Sequence, residues 1–190
     1  FAEWEQGCSS LKLVYGGRVD ELRVGLGGSG ENLVVFRRGW CRATLSPSEL
    51  CLTDPDLDCG GIFGCFEDVG ASRFIVALTS VLYDPDTGRI FDADIEMNGW
   101  DGQDTGTSLA PGTSGPPHGW YFTCVEPAGR PQCTQYGQGD CFYMDLRNTL
   151  THEAGHFIGL AHPCEGLGCT PALEPLTMYP QTSPGDLEKR

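Results

Sequence analysis

The stretch that most constrains how this chain can fold reads THEAGHFIGLAH and lies near the C-terminus. It carries the spacing H-E-x-x-H-x-x-G-x-x-H, with His152, Glu153, His156, Gly159 and His162. On a helix, side chains four positions apart lie nearly one above the other, so the first two histidines can bind one metal ion from the same face. The stretch is therefore predicted to be helical, with its imidazoles on one side.

The opposite side of the same helix is predicted to face the core. Apolar residues recur there at three- and four-residue steps, which is the helical period. These residues are Tyr143, Leu146, Leu150, Ala154, Phe157 and Ala161. Asp145 can accept hydrogen bonds from the free amides of the first turn, so we expect it to be the N-cap.

Gly159 is predicted to end the helix and to bring the third histidine to the metal. In a continuous helix His162 would point away from His156, whereas a glycine can take the left-handed conformation that lets the chain turn back. Three neutral imidazoles suit zinc and leave a fourth position open, as in catalytic zinc sites. Glu153 is the candidate general base toward a water molecule whose pKa the zinc lowers to ~7.

The alternative interpretation, in which these histidines bind no metal, is less favoured. A lone histidine is usually a core or surface residue, and a bare H-E-x-x-H arises by chance. Here three of the four histidines fall within the motif with the glycine in place, which favours one catalytic zinc ion. The fourth, His118, is interpreted as a surface residue. Cys164 can in principle reach the metal, but a disulfide is the favoured role.

The extended motif resembles that of the metzincin metallopeptidases, in which a methionine turn lies under the metal. The sequence LTMYP around Met178 fits that turn, and Met-Tyr-Pro is similar to the matrixin branch, the matrix metalloproteinases and their bacterial relatives. Residues 86–98, DTGRIFDADIEMN, are similar to a segment of bacterial matrixin-like proteins.

This resemblance implies an α+β fold, the metzincin (zincin-like) catalytic domain. Its features are a twisted mixed sheet with an antiparallel edge strand, an active-site helix and a loop-rich C-terminal part stapled by disulfides. At 190 residues the chain can bury one sizeable core, so a single domain is expected, with an upper part of about 1–159 and a lower part of about 160–190. Relative to the family, a first strand and a last helix are not found, so we expect a domain truncated at both ends.

Further site residues follow from the resemblance. Met178 is expected to support the zinc from below as an apolar residue. Tyr179 and Pro180 are expected to shape the pocket for the residue after the scissile bond. The strand at residues 74–83 is expected to hold the substrate as an added strand; the alternative is a merely buried strand.

Strand patterns precede the motif. Residues 11–15, 32–38 and 74–83 are predicted strands, and residues 89–97 return from a turn at 84–88 to make a hairpin. On the return strand Asp92, Asp94 and Glu96 alternate and share one face. Three carboxylates there can bind calcium, line a solvated face or cap neighbouring loops, and all three interpretations stay open.

Cysteine content and charge limit the environment and the partners. Ten cysteines with no C-x-x-C pair favour disulfides, and hence a secreted protein, over a zinc cluster. Close pairs such as Cys59/Cys65 and Cys164/Cys169 are predicted to close small loops. The net charge of −14 argues against nucleic acid, and no apolar stretch approaches the ~18–20 residues of a membrane span.

The function expected from sequence is zinc-dependent hydrolysis of internal peptide bonds in protein or peptide substrates by a monomeric enzyme. Glu153 would be the general base, and His152, His156 and His162 the ligands of the zinc. The alternative from a different class is a secreted, disulfide-rich interaction module that binds zinc without catalysis. An intact Glu153 argues for the enzyme, and the terminal elements that are not found argue for the module.

Overall fold

The computed structural model describes residues 4, 12–20, 24, 31–37, 41, 45–54, 57, 59–66, 75–98, 120–121, 144–164 and 168–182. Within these residues α and β structure are mixed. The elements in chain order are β1 (Val34–Arg37), α1 (Cys59–Phe63), β2 (Ala77–Tyr83), β3 (Ile90–Asn98), β4 (Trp120–Tyr121), β5 (Met144–Asp145) and α2 (Leu146–Phe157), with single 3-10 turns at Leu50–Leu52 and Pro171–Leu173.

The main sheet has the strand order β1-β3-β2. Strand β1 is parallel to β3, and β2 is antiparallel to β3 at the sheet edge. The strands predicted at residues 32–38, 74–83 and 89–97 are therefore confirmed within their described parts, as are the mixed sheet and its antiparallel edge. Strands β4 and β5 form a second, two-stranded parallel sheet.

A tight turn joins β2 to β3, as the sequence predicts. Gly88 has φ +69°, a conformation that glycine takes without steric cost. The Asp84 carboxylate accepts hydrogen bonds from the amides of Asp86 and Thr87 at 2.8 and 3.2 Å. These bonds favour its charged form and hold the pKa of Asp84 below its ordinary value. The hairpin thus places β2 at a fixed register beside β3.

Strand β3 is buried on both faces. Its apolar face (Ala93, Ile95 and Met97) lies on the side of the sheet against which α2 packs. The opposite face carries Asp92, Asp94 and Glu96. All three carboxylates are buried, so the expectation of a solvated face is wrong.

Two of these carboxylates fasten neighbouring segments to the sheet. Asp94 Oδ1 accepts from the Leu33 amide at 2.8 Å, and Glu96 Oε2 accepts from Arg37 Nε at 2.5 Å. Arg37 Nη1 donates to the Gly60 carbonyl at 2.8 Å, which connects α1 to the same group of residues. The acidic face of β3 therefore holds β1 and α1, in keeping with the capping interpretation. Among the described residues, the three carboxylates do not form a group of potential metal ligands.

Disulfides hold the segment between β1 and β2. The bonds are Cys41–Cys65 and Cys51–Cys59, so the predicted pairing of Cys59 with Cys65 is wrong. Helix α1 starts at Cys59 and Cys65 follows its end, and each bonds a cysteine from the preceding loop. Cys41, Cys59 and Cys65 are buried and form a small core. The predicted bond between Cys164 and Cys169 is confirmed.

Other predictions have mixed outcomes. Residues 12–15 form no strand, and Val14 and Tyr15 are 76% and 80% exposed; none of the described strands pairs with them, and alternation alone does not make a strand without a partner. The predictions for His118 and Tyr143 lie outside the described residues. No helix in the described part of the chain is long and apolar enough to cross a membrane.

Candidate metal centre

Helix α2 begins and ends where the sequence predicts. The Asp145 carboxylate accepts from the Asn148 amide at 2.7 Å, which confirms it as the N-cap. The helix ends at Phe157, and Gly159 follows with φ +90°. The amides of Gly159 and Leu160 close the turn by donating to the carbonyls of His156 and Gly155 at 2.8 and 2.9 Å. The chain therefore reverses and returns toward the helix.

This reversal brings the three histidines together. The Nε2 atom of His162 lies 3.2 Å from that of His152 and 3.0 Å from that of His156. Zinc with tetrahedral angles and Zn–N bonds of ~2.0–2.1 Å requires nitrogens roughly 3.3 Å apart. Within the described residues these histidines form the group that could hold a metal ion. Their spacing is compatible with zinc.

Backbone carbonyls fix the tautomer of two of the imidazoles. His152 Nδ1 lies 2.7 Å from the Thr177 carbonyl, and His156 Nδ1 lies 2.7 Å from the Leu160 carbonyl. A carbonyl oxygen only accepts, so each Nδ1 carries the proton, and each neutral ring has its lone pair on Nε2. One proton on His162 Nε2 can satisfy only one of two facing lone pairs, whereas a cation satisfies all three nitrogens. The donor set fits a metal ion.

Glu153 lies in the same cleft as the histidines and is only 6% exposed. Its Oε2 atom accepts a hydrogen bond from the Thr79 hydroxyl at 2.5 Å. The same hydroxyl lies 3.3 Å from the Glu153 carbonyl. The carboxylate is therefore held between α2 and the edge strand of the sheet, in the cleft that the imidazoles line.

Met178 is buried and lies against α2 at Gly155. A Cβ atom added to Gly155 would collide with Met178 Sδ and would lie 3.0 Å from Trp4 Cζ2. Glycine is therefore required at position 155 for space, although glycine disfavours a helix by ~1 kcal/mol. Trp4 is fixed by a hydrogen bond from its Nε1 to the Thr151 carbonyl at 2.7 Å. The helix is thus packed closely between Trp4 and Met178.

An open cleft of about 1060 Å³ runs past the histidines. Strand β2 forms one side, and α2 with the chain after it forms the other. Tyr179 and Pro180 line the cleft, where the sequence analysis expects a pocket wall. Residues at the other end, beyond Gly159, include Tyr83, Ile90 and Leu160. The arrangement leaves room for an extended ligand between β2 and the imidazoles.

The backbone of β2 presents one of its edges to this cleft. The Asn98 amide donates to the Val76 carbonyl at 3.0 Å, so every second residue of β2 is bonded to β3. By the same alternation, Ala77, Thr79 and Val81 direct their amide and carbonyl groups away from β3. Among the residues that the structure describes, no strand pairs with this edge.

The burial of α2 differs from the predicted apolar stripe. Ala154 is fully buried, but Leu146 and Leu150 are only half-buried, and Ala161 lies beyond the helix and is exposed. Polar residues fill the buried surface instead, namely Asn148, Thr149, Thr151, His152 and Glu153. The buried positions of α2 are consecutive over much of the helix and do not form a single stripe. Their burial is therefore not predicted by the apolar pattern.

Four groups that hold the site were not predicted from the sequence, namely Trp4, Thr79, and the carbonyls of Leu160 and Thr177. Of these, only Thr79 has a sequence feature that could have indicated its role. It stands between Ala77 and Val81 on one face of an apolar strand, where a polar side chain needs a partner. The two carbonyls have no signal in the side-chain sequence.

Comparison of the chain with protein-family models, with curated proteins and with solved structures found no match.

Proposed function

We propose that this protein is a zinc-dependent endopeptidase of the metzincin type, similar to the matrixins, that hydrolyses internal bonds of protein or peptide substrates. The observation that carries the proposal is the convergence of three imidazole Nε2 atoms, with that of His162 within 3.2 Å of the other two, beside a buried glutamate. Two of the rings are held in the metal-binding tautomer by carbonyls.

His152, His156 and His162 would hold the zinc ion, with Met178 as apolar support from below. Zinc bound there supplies Lewis acidity, which activates water as a nucleophile and polarises a carbonyl oxygen. The carbonyls of Thr177 and Leu160 keep both helical imidazoles oriented and raise their basicity.

Glu153 carries the proton. Its carboxylate accepts a proton from the attacking water as the new C–O bond forms, and it donates that proton to the amine as the peptide C–N bond breaks. Burial and the hydrogen bond from Thr79 keep the carboxylate at one position beside the imidazoles. Correct position is a large part of such catalysis, since reacting atoms must lie within about 3–3.5 Å.

Strand β2 would bind the substrate backbone. The outward amide and carbonyl groups of Ala77, Thr79 and Val81 can pair with an extended peptide, which is strand addition at a sheet edge. Tyr179 and Pro180 would then contact the side chain after the scissile bond. The open cleft accepts a chain that passes through it, as cleavage of internal bonds requires.

We place this activity outside the cell, in a monomeric single-domain protein that acts without nucleic acid or membrane. Three disulfides lie within the described residues, and such bonds persist in oxidising compartments. A net charge of −14 disfavours nucleic acid as a partner.

The test is hydrolysis of a quenched fluorescent peptide library by the wild type, with and without a zinc chelator. Glu153→Gln keeps the size of the side chain and removes its charge, so we expect kcat to fall by roughly 10²–10⁴-fold while one zinc remains bound per chain. Glu174→Gln, at an exposed glutamate outside the cleft, is the matched control and should behave as the wild type.

The outcomes separate the two function classes. Chelator-sensitive cleavage that is lost in Glu153→Gln supports the endopeptidase. Full turnover in that variant contradicts the role of Glu153. No cleavage by a wild type that binds one zinc per chain would favour the zinc-binding interaction module.

A further inference from the structure

We infer that Thr79 is a positioning residue that couples the pairing of a peptide on β2 to the orientation of the Glu153 carboxylate. This inference rests on the proposed function and adds a residue to it. The two side chains are 74 positions apart in sequence and are joined by one short hydrogen bond. The coupling would make the general base sensitive to whether the substrate strand is in place.

The side chain of Thr79 carries the first half of the coupling. In the register of the sheet, Thr79 is paired with Ile95 on the face that packs against α2. Its hydroxyl lies 2.5 Å from Glu153 Oε2 and 3.3 Å from the Glu153 carbonyl. A length of about 2.5–2.7 Å is typical of hydroxyl bonds to a carboxylate, which are about twice as strong as neutral ones. Fixing one carboxylate oxygen also restricts where the other can lie.

The backbone of Thr79 carries the second half. Its amide and carbonyl point away from β3, toward the edge of β2 that pairs with none of the described strands and that would pair with a peptide. Thr79 therefore stands between the two partners of the reaction, with its main chain toward the peptide and its hydroxyl toward the proton carrier. Among the described residues, Ala77 and Val81 share the backbone orientation, but their apolar side chains cannot donate to Glu153.

Strand addition restrains the main chain of the edge strand, and a threonine hydroxyl is fixed to its main chain by a single stiff χ1 angle. A peptide long enough to pair with Ala77 and Val81 as well as Thr79 should therefore narrow the range of positions open to the Glu153 carboxylate. The gain would appear in kcat, because it concerns the reacting geometry rather than the binding of the ground state.

The test uses Thr79→Val, which keeps the shape and removes the donor, and Thr79→Ser, which restores it. Ser80→Ala is the matched control, since it removes a hydroxyl from the next residue, which points to the opposite face of the sheet. Each protein is assayed on a series of peptides of increasing length around one cleavable bond. Zinc affinity is measured by competition with a chelator, and affinity for a peptide hydroxamate is measured as a readout without turnover.

We expect Thr79→Val to lower kcat roughly 10- to 100-fold on the longest peptides, with KM and zinc affinity within about twofold of the wild type. The rise of kcat with peptide length should disappear in this variant, and its affinity for the hydroxamate should fall, because the hydroxamate donates to the Glu153 carboxylate. Thr79→Ser should recover most of kcat, and Ser80→Ala should match the wild type.

The contrary outcomes are distinct. A wild type that cleaves peptides beside a Thr79→Val variant with unchanged kcat overturns the inference alone. A parallel loss of zinc affinity in Thr79→Val also overturns it, because Thr79 would then merely stabilise the site. A wild type that cleaves no peptide overturns the proposed function and this inference together.

Discussion

The two faces of β3 meet regions that are held together by different means. The apolar face lies toward α2 and the histidines, where hydrogen bonds to backbone carbonyls and close packing at Gly155 fix each side chain. The acidic face lies toward α1, where two disulfides and the hydrogen bond from Arg37 to the Gly60 carbonyl hold the described residues between β1 and β2. One region is organised to place a few nitrogens accurately, and the other to keep its shape with little core of its own. Damage to one should therefore leave the other largely unchanged.

The largest effect on stability is expected on the acidic face. Arg37→Met removes the donors to Glu96 and to the Gly60 carbonyl and leaves a buried carboxylate without its cation. Breaking a buried pair in this way costs about 3–5 kcal/mol, so we expect denaturant unfolding to show a loss of that size. The zinc affinity of the folded variant should stay within about twofold of the wild type, because distant sites act independently.

Two controls sharpen this prediction. Arg18→Met, at an exposed arginine, should change the unfolding free energy by no more than about 0.5 kcal/mol. Adding Glu96→Gln to Arg37→Met removes the uncompensated charge and should recover part of the loss. A loss of zinc-binding free energy as large as the loss of unfolding free energy would contradict the independence of the two regions.

The next largest effect is expected on the metal side. Gly155→Ala forces a methyl group against Met178 and Trp4, and overpacking of this kind costs about 1–3 kcal/mol. The shift of α2 also moves the His152 imidazole relative to the Thr177 carbonyl, so zinc affinity should fall roughly 10- to 100-fold. Chelator competition measures the affinity, and thermal unfolding with and without zinc measures the stability.

Gly168→Ala is the matched control, since a Cβ atom at that position meets nothing within 4 Å. It should leave both quantities unchanged. Unaltered zinc affinity in Gly155→Ala would show that the packing of Met178 against the helix does not set the geometry of the ligands.

A smaller loss of stability than in Arg37→Met is expected when the disulfide that follows His162 is removed. Replacing Cys164 and Cys169 together by serine opens a loop with a sequence separation of only 5. Loop-closure entropy assigns so short a bridge about 2 kcal/mol, against about 3.5 kcal/mol for the separation of 24 in Cys41–Cys65. Zinc affinity should change less than in Gly155→Ala, because the turn that places His162 is closed by backbone hydrogen bonds. An unfolding series over both double variants measures the difference.

The parts of the site that the sequence predicts are those set by local rules. Asp145 caps the helix that follows it, Gly159 ends it, and the spacing of the histidines fixes which imidazoles share a face. The hairpin of β2 and β3 is local in the same sense, because its turn and its alternation lie within a short stretch. Each of these features depends on residues within a few positions of one another.

The remaining parts depend on contacts across long stretches of chain. Thr79 and Glu153 are 74 positions apart in sequence, and Trp4 and Thr151 are 147 apart. No local sequence pattern predicts contacts between residues so far apart. The predicted pairing of Cys59 with Cys65 was wrong for a related reason, since nearness in sequence does not decide which sulfur atoms meet once α1 separates these two cysteines. The strand prediction for residues 12–15 was wrong because alternation predicts a strand only where a partner strand lies beside it, and none of the described strands does so.

The chain between His162 and Thr177 begins and ends at the candidate metal centre. His162, at its start, is a candidate ligand, and Thr177, at its end, supplies the carbonyl that orients His152. The Cys164–Cys169 disulfide closes a short loop near the start of this segment. Because contacts at the site fix both ends, we expect changes in the length or composition of the chain between them to leave the imidazoles in place. Insertions are best tolerated at such exposed loops. This segment is the place where the molecule could acquire new recognition surfaces while its chemistry stays constant.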